Sequence, residues 1–328
     1  MNKIIEEKFN LKIISIKKLN GYENENYLIN TTDNKYIFKK YPYSLELESI
    51  IHGENEVLLF LSQNNNKFPV PIKSVDGVYL KTIQIDKEVF IFRVLSFLDG
   101  QMLGSIKNTK EIFESFGTFL AKMNKRLQSC NNIIIEGRIW NWDLQYFHLN
   151  KKYINDFILE KDKVLVNYFF LQFEEHVNPV ISSLRKSIIH SDANEWNVLI
   201  TNGKVSSIID FGDLVYSPLI NEVAIAMTYA SYDKENPLDW AVIILESYNN
   251  VLPILENEIK IIYYLIAARL CVSLCNGAHS KKINPENSYA FSSEQSAWKM
   301  LKKWRILNPL FVENTFRKTL GYSLVNDK

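Results

Sequence analysis

Two carboxylates and an amide fall close together in this chain, in the order Asp192, Asn197, Asp210. They stand in the segments His190-Ser191-Asp192-Ala193-Asn194-Glu195-Trp196-Asn197 and Asp210-Phe211-Gly212-Asp213. A positioned carboxylate can take the proton of a hydroxyl, and a carboxylate with an amide oxygen can hold a hard divalent cation. Whether the three converge depends on the chain between them. Asn202-Gly203, flanked by apolar runs, predicts a two-residue hairpin turn. Closing it pairs Thr201 with Lys204, and counting back along the ladder sets Asn197 opposite Ile208. Asn197 and Asp210 then meet at the open end of the hairpin. Asp192 precedes Asn197 by a short loop and reaches the same space. Such oxygen ligands suit Mg²⁺, which leaves its other positions to water and phosphates.

The order is that of a phosphoryl-transfer site of the kinase type, with a catalytic Asp, a metal-binding Asn and the Asp of a D-F-G triplet. D-F-G alone is common by chance; HxDxxxxN at hairpin distance after an apolar strand makes the pair specific. A second region points the same way. In LELESIIHGENEVLLFLSQ the apolar spacing predicts a helix, and Glu54 shares its inward stripe with Leu58 and Leu61. An unpaired buried carboxylate is costly, so Glu54 needs a cation. Lys39 on the preceding strand is the expected partner, with Lys40, or a solvated Glu54, as the alternative. A strand lysine held by a helix glutamate is the arrangement that steadies a lysine against nucleotide phosphates. The loop Gly21-Tyr22-Glu23-Asn24-Glu25-Asn26 would cover those phosphates, with Tyr22 and Asn26 as its candidate contacts. It has one glycine where GxGxxG has three. No Walker A sequence, HExxH or GxSxG occurs.

Around these residues the chain changes character once. SIKKLNGYENENYLINT and NKYIFKKYP read as strands with the turn TTDN between the last two, and VPIKSVDGVYL and EVFIFRVLSFL as two more. The predicted helix lies among them and closes at the polar run Gln63-Asn64-Asn65-Asn66. After Asp99-Gly100 the pattern turns helical: EIFESFGTFLAKMNKRL, further helix between Trp142 and about Leu184, and nearly everything from Asn221 onward. One island of strand interrupts it, IIHSDANEWNVLITNGKVSSIIDFGD. The fold class expected is α+β in two lobes, protein-kinase-like. Residues 1–98 form a small antiparallel-sheet lobe with one helix, and residues 99–328 a large, mainly helical one.

Bulk properties exclude several classes. The 328 residues are 47% hydrophobic and 23% charged, a globular composition. With 38 basic and 37 acidic residues, charge gives no reason to expect a nucleic acid or an anionic membrane as partner. MNKIIEEKFN lacks the apolar core of a signal peptide, and IIYYLIAARLCVSLC is too short to span a bilayer and carries Arg269. Cys130, Cys271 and Cys275 form no CxxC pair, and Cys271 and Cys275 read as core thiols. The expected location is cytoplasmic.

Taken together, the motifs resemble the aminoglycoside phosphotransferase and choline kinase superfamily, and within it the hydroxylysine kinase-like branch. The resemblance runs from about Tyr22 to Leu301 through YENENYLI, YIFKKYP, ENEVLLFL, VPIKSVDG, IWNWDLQ, IIHSDANEWNVLI, IIDFGDLVYSPLINEVAIAM, AARLCVS and NPENSYAFSSEQSAW. It implies Asp192 as catalytic base, Asn197 and Asp210 as Mg²⁺ ligands, and Lys39, steadied by Glu54, on the phosphates of ATP or GTP. It also implies that backbone from Ser96 to Leu98 holds the purine, and that His190 and Glu222 brace the catalytic loop, Glu222 replacing the usual Asp. Departures are Ser191 and Ala193 for the usual Gly and a bulky apolar residue, Glu195-Trp196 for the branch's Asp-His, and Asn124 for a common His. The acceptor implied is a small metabolite with a hydroxyl group, foremost a hydroxylated amino acid such as 5-hydroxylysine. Homoserine, choline or ethanolamine, and aminoglycosides are the alternatives, and a nucleotide-binding pseudokinase is the reading from another class. Trp142 and Asp143 suit a substrate ammonium or a core and capping role; Arg269, on an apolar helix face, suits a substrate carboxylate or a structural ion pair.

Overall fold

Turn chemistry and capping account for most of the element boundaries. A computed structural model of the chain describes residues 2–19, 21, 24–63, 67–286, 291 and 293–325. Tyr22 and Glu23 of the loop, residues 64–66 of the polar run, and residues 287–290 and 292 of NPENSYAFSSEQSAW lie outside the described residues. The chain divides into one unit of Met1–Gly100 with Asn132–Gly137 and another of Gln101–Asn131 with Arg138–Lys328. Asn132 explains the returning segment. It caps the turn Ile133–Glu136 by accepting from Ile135 N at 3.0 Å, and its Nδ2 donates to the Glu56 carboxylate at 2.7 Å.

In the first unit the order is α1 (Asn2–Phe9), β1 (Ile13–Leu19), β2 (Glu25–Thr31), β3 (Lys35–Pro42), α2 (Leu45–Ser62), β4 (Leu80–Ile85) and β5 (Glu88–Ser96). The five strands make one antiparallel sheet, ordered β1-β2-β3-β5-β4. Ser44 starts α2 by accepting from Leu47 N at 3.1 Å. Gly21 is required before β2: a Cβ there would lie 2.4 Å from the Asn24 carbonyl oxygen. Two expectations are corrected. A second helix, α1, buries Ile5 and Phe9 against Ile29, Phe38, Phe92 and Val94. The strand foreseen in VPIKSVDGVYL is instead an irregular run tied to β5 by Ile72 N to Val94 O at 2.9 Å and one bridge, Pro71 to Leu95. Pro71 lacks a ladder donor and Gly77 turns at φ 81°, so the true fourth strand begins only at Leu80.

In the second unit the order is β6 (Gln101–Met102), α3 (Lys110–Leu127), a 3₁₀ run (Leu144–Asp156), α4 (Glu160–His176), β7 (Lys186–Ile189), β8 (Val198–Thr201), β9 (Lys204–Ile208) and β10 (Val215–Pro218). It continues with α5 (Leu219–Ala230), α6 (Pro237–Asn249), α7 (Ile262–Ile283), α8 (Glu294–Ile306) and α9 (Pro309–Leu320). Strands β7 and β10 pair, as do β6, β8 and β9. Helix α7 is buried on nearly every side from Ile262 to Ala278, which marks a core helix rather than an amphipathic one. It packs against the 3₁₀ run, α4, α5 and α8, and carries Cys271 and Cys275 as buried free thiols. Among the described residues no helix is long and apolar enough to cross a membrane.

Candidate active site

The hairpin closes at Asn202-Gly203, both in the left-handed region at φ 52° and 71°, as a two-residue turn of that composition requires. Thr201 pairs with Lys204 and Ile200 with Val205, but the register then shifts: Leu199 faces Ser207 and Val198 faces Ile208. Ser206 is the extra residue of a β-bulge, and its hydroxyl donates to Leu199 O at 3.2 Å. The register expected for Asn197 is therefore corrected by one. Ile209 N donates to Asn197 O at 2.9 Å, which brings Asn197 one residue closer to Asp210. Asp210 itself turns at φ 63° and ψ 73°, ending the strand.

Asp192 is held from three sides. Its Oδ2 accepts from Asn197 Nδ2 at 2.7 Å and from Asn194 Nδ2 at 2.9 Å, and its Oδ1 from Arg269 Nη2 at 2.6 Å. Asn197 Nδ2 also donates to Asp192 O at 2.9 Å. Both amide hydrogens of Asn197 thus go to Asp192, and its oxygen is the atom left to meet a cation. Burial raises the Asp192 carboxyl above the ordinary carboxylate range, and the Arg269 charge opposes that rise. Among the described residues no three His, Cys, Asp or Glu side chains form a metal cage. A cation held by Asn197 and Asp210 would depend on phosphates and water for its other ligands, which is how Mg²⁺ binds.

The loop is braced from below. Glu222 accepts from His190 N at 2.6 Å and Ser191 N at 3.2 Å, and Asn124 lies against the same carboxylate. Burial pushes the Glu222 carboxyl up to about 7 and the His190 imidazole down to about 4. Neutral His190 bridges the two motifs: Nε2 donates to Ile209 O at 3.0 Å while Nδ1 accepts from Asp192 N at 3.2 Å. Ser191 takes φ 65°, a left-handed backbone that favours the glycine usual in the resembled superfamily. Glu195, whose carboxyl burial lifts to about 7, has its Oε2 buried without a protein partner.

Residues just before the 3₁₀ run fasten the D-F-G-D turn. Arg138 Nη1 donates to Gly212 O at 2.8 Å and Leu214 O at 2.9 Å, and Trp140 Nε1 donates to Asp213 Oδ1 at 2.7 Å. Asp213 is half-buried; burial raises its carboxyl, and the charge of Arg138 and the Trp140 hydrogen bond oppose that rise. Asp143 takes the core and capping role, one of its two expected roles. It is fully buried, and its oxygens accept from Gln145 N at 3.0 Å, Gln145 Nε2 at 2.6 Å and Ser217 Oγ at 2.6 Å. It caps the 3₁₀ run and offers no open face to an ammonium. Trp142 lies against the Arg269 guanidinium, 5.0 Å from ring centroid to Cζ. Arg269 is thus in an ion pair, with Asp192 as the carboxylate.

In the first unit, Glu54 is buried at 4% exposure, and its partner is Arg93, with Nη1 2.6 Å from Oε2. Lys39 is the partner expected from the sequence, and Arg93 is one that helix and strand spacing do not point to. Cross-strand pairing puts Asn26, Lys39, Arg93 and Leu80 in one row, so Lys39 shares the face that carries this pair. Lys40, the alternative partner, instead bonds Glu25 at 2.7 Å and holds that carboxyl down to about 2. An arginine inside the apolar run Ile91-Phe92-Arg93-Val94-Leu95 was the available signal. Ser96 is committed to Val70, through N to Val70 O at 2.8 Å and Oγ accepting from Val70 N at 2.8 Å. Leu98 lies half-buried two residues on.

Residues 15–256 match the Phosphotransferase enzyme family. Hydroxylysine kinase of Mus musculus is 25% identical over 342 aligned residues, covering 96% of this chain and 91% of that protein. Homoserine kinase of Sinorhizobium medicae is 25% identical over 249, covering 73% and 71%. Among solved structures, amicoumacin kinase in complex with AMP-PNP and Ca²⁺ superposes with a TM-score of 0.71 at 17% identity, over 92% of each chain. Choline kinase of Streptococcus pneumoniae gives 0.59 at 16% identity, over 92% of this chain and 99% of that one. The shared fold is that of aminoglycoside- and choline-type kinases.

Proposed function

Because the chain belongs to the Phosphotransferase enzyme family, we propose that it moves the terminal phosphate of ATP or GTP onto a hydroxyl of a small hydroxylated amino acid, with 5-hydroxylysine the leading candidate. The observation that carries the reading is the threefold hold on Asp192, a carboxylate fixed by Asn194, Asn197 and Arg269 yet 18% accessible at its side chain. A carboxylate so oriented suits the general base. It takes the acceptor hydroxyl proton as the new oxygen–phosphorus bond forms and the bond to the nucleoside diphosphate breaks. Asn197 Oδ1 and Asp210 are the groups that would hold Mg²⁺, which when bound neutralises phosphate charge. Lys39, on the same face as the Glu54–Arg93 pair, is assigned to the nucleotide phosphates, and the backbone near Leu98 to the purine. With Asp143 enclosed, Glu195, whose Oε2 is buried without a protein partner, is assigned to an acceptor ammonium.

The test is a panel of 5-hydroxylysine, homoserine, ethanolamine, choline and kanamycin with ATP and with GTP, in Mg²⁺, reading nucleoside diphosphate and phosphorylated acceptor. We expect kcat/KM for 5-hydroxylysine to exceed the others by about tenfold or more. Transfer to none of them removes the kinase reading. Preference for kanamycin or choline removes the amino-acid acceptor and leaves the kinase.

A further inference from the structure

Arg269 is enclosed to a degree that its ion pair with Asp192 does not explain. A guanidinium has five N–H donors. Nε donates to Tyr229 Oη at 3.1 Å, and Nη2 donates to Asp192 Oδ1 at 2.6 Å and Tyr229 Oη at 2.9 Å. The rings of Trp142 and Tyr229 lie 5.0 and 5.4 Å from Cζ. Nη1 is what remains. It is buried with no protein partner, in a side chain only 1% exposed. A second buried hydroxyl lies on the neighbouring ring: Tyr232 packs edge-on against Tyr229 at 5.2 Å, with the Ser273 side chain within reach of both tyrosines and no well-aligned bond made by the Tyr232 hydroxyl. Unmet buried donors are expensive, and more so on a charged group.

The position of Arg269 is also fixed from its own helix. Asn276, two turns further along α7, donates to Asn150 Oδ1 at 2.7 Å and accepts from Asn141 Nδ2 at 2.8 Å. Asn150 Nδ2 completes the set by donating to Asn141 O at 2.6 Å. This polar lock sets the rotation of α7 and so the direction in which Arg269 enters the site.

We propose that Arg269 Nη1, with the Tyr232 hydroxyl, receives the carboxylate of the acceptor, so that one guanidinium selects an amino acid over an amino alcohol and at the same time positions Asp192. The proposal rests on the reading of Asp192 as the base. A planar carboxylate has two acceptor oxygens, and a charged N–H donor such as Nη1 makes the stronger of the bonds it can accept here. An amino alcohol or polyamine leaves Nη1 buried and unmet, and binds worse for that reason.

The test compares 5-hydroxylysine with its decarboxylated counterpart, 1,5-diamino-2-pentanol, on wild type, Arg269→Met, Arg269→Lys and Tyr232→Phe, with nucleotide KM and melting temperature measured alongside. In wild type the acid should be preferred by about 100-fold in kcat/KM. Arg269→Met should reduce that preference to about threefold or less and raise KM for the acid while leaving nucleotide KM unchanged. Arg269→Lys should restore part of it, and Tyr232→Phe should lose about three- to tenfold of it without touching the ion pair. An Arg269 that only positions Asp192 would lower turnover of both acceptors equally, and that unchanged preference overturns the proposal. Equal use of both acceptors by wild type overturns it as well, while leaving the kinase reading intact. No transfer to either by wild type removes both. Should Arg269→Met fail to fold, Arg269→Lys and Tyr232→Phe decide by the same ratio.

Discussion

Among the described residues each unit of this protein holds an arginine–carboxylate pair whose guanidinium is almost wholly buried, and the two are built alike up to one feature. Arg93 meets Glu54 at 2.6 Å and Arg269 meets Asp192 at 2.6 Å. Both guanidinium groups are buried, at 2% and 1% exposure, but the Glu54 side chain is 5% accessible and the Asp192 side chain 18%. A carboxylate closed on every side is a fastening, because breaking it leaves a buried charge. A carboxylate fixed in direction but open to solvent can still exchange a proton with a ligand. Access, rather than the strength of the pair, separates the two roles.

The largest effect should come from the open pair. Asp192→Asn keeps an oxygen acceptor for Arg269 but removes the base, and turnover should fall by about two to four orders of magnitude with nucleotide affinity retained. Steady-state rates beside a nucleotide titration check this, and turnover within about threefold of wild type would make Asp192 a fastening like Glu54.

The closed pair should respond in stability instead. Arg93→Met leaves Glu54 buried without its arginine, at about 3–5 kcal/mol. Chemical denaturation reads the loss, and adding Glu54→Gln should recover a substantial part of it. An unchanged midpoint would mean that Lys39, on the same face, already suffices as the counter-charge.

A smaller and pH-dependent effect belongs to Glu222, the brace beneath the open pair. Its folded pKa is raised from 4.5 to about 7 by burial, so the fold favours the protonated acid. That contribution is complete below the unfolded value and is lost as pH rises through the folded one. Gln mimics the protonated form at every pH. From about pH 5 to about pH 8 the stability of Glu222→Gln relative to wild type should therefore rise, by about 3 kcal/mol at most. His190, held down at about 4, titrates in both proteins and drops out of the difference. A pH-independent difference between the two would show that Glu222 stays ionised throughout, held so by the two backbone donors.

The sequence by itself determined what local chemistry dictates. Asn202-Gly203 can close only one kind of turn, so the hairpin and the nearness of Asn197 to Asp210 followed from residue types. The helix bearing Glu54, capped by Ser44, followed from apolar spacing, and the family from motifs spread along the chain. Tertiary structure decided what depends on partners far apart in sequence. The bulge at Ser206 arises inside the ladder, where counting back from the turn carries no signal of an extra residue. Arg93 reaches Glu54 because β5 inserts beside β3, a neighbour that follows from sheet order and not from proximity along the chain. Asp143 became a cap because Ser217 and Gln145 reach it first. The meeting of Arg269 with Asp192 joins residues 77 apart, through a core helix whose rotation is set by side-chain amides two turns away. Periodicity can say that such an arginine turns inward; only packing decides which carboxylate it finds and which of its donors is left over.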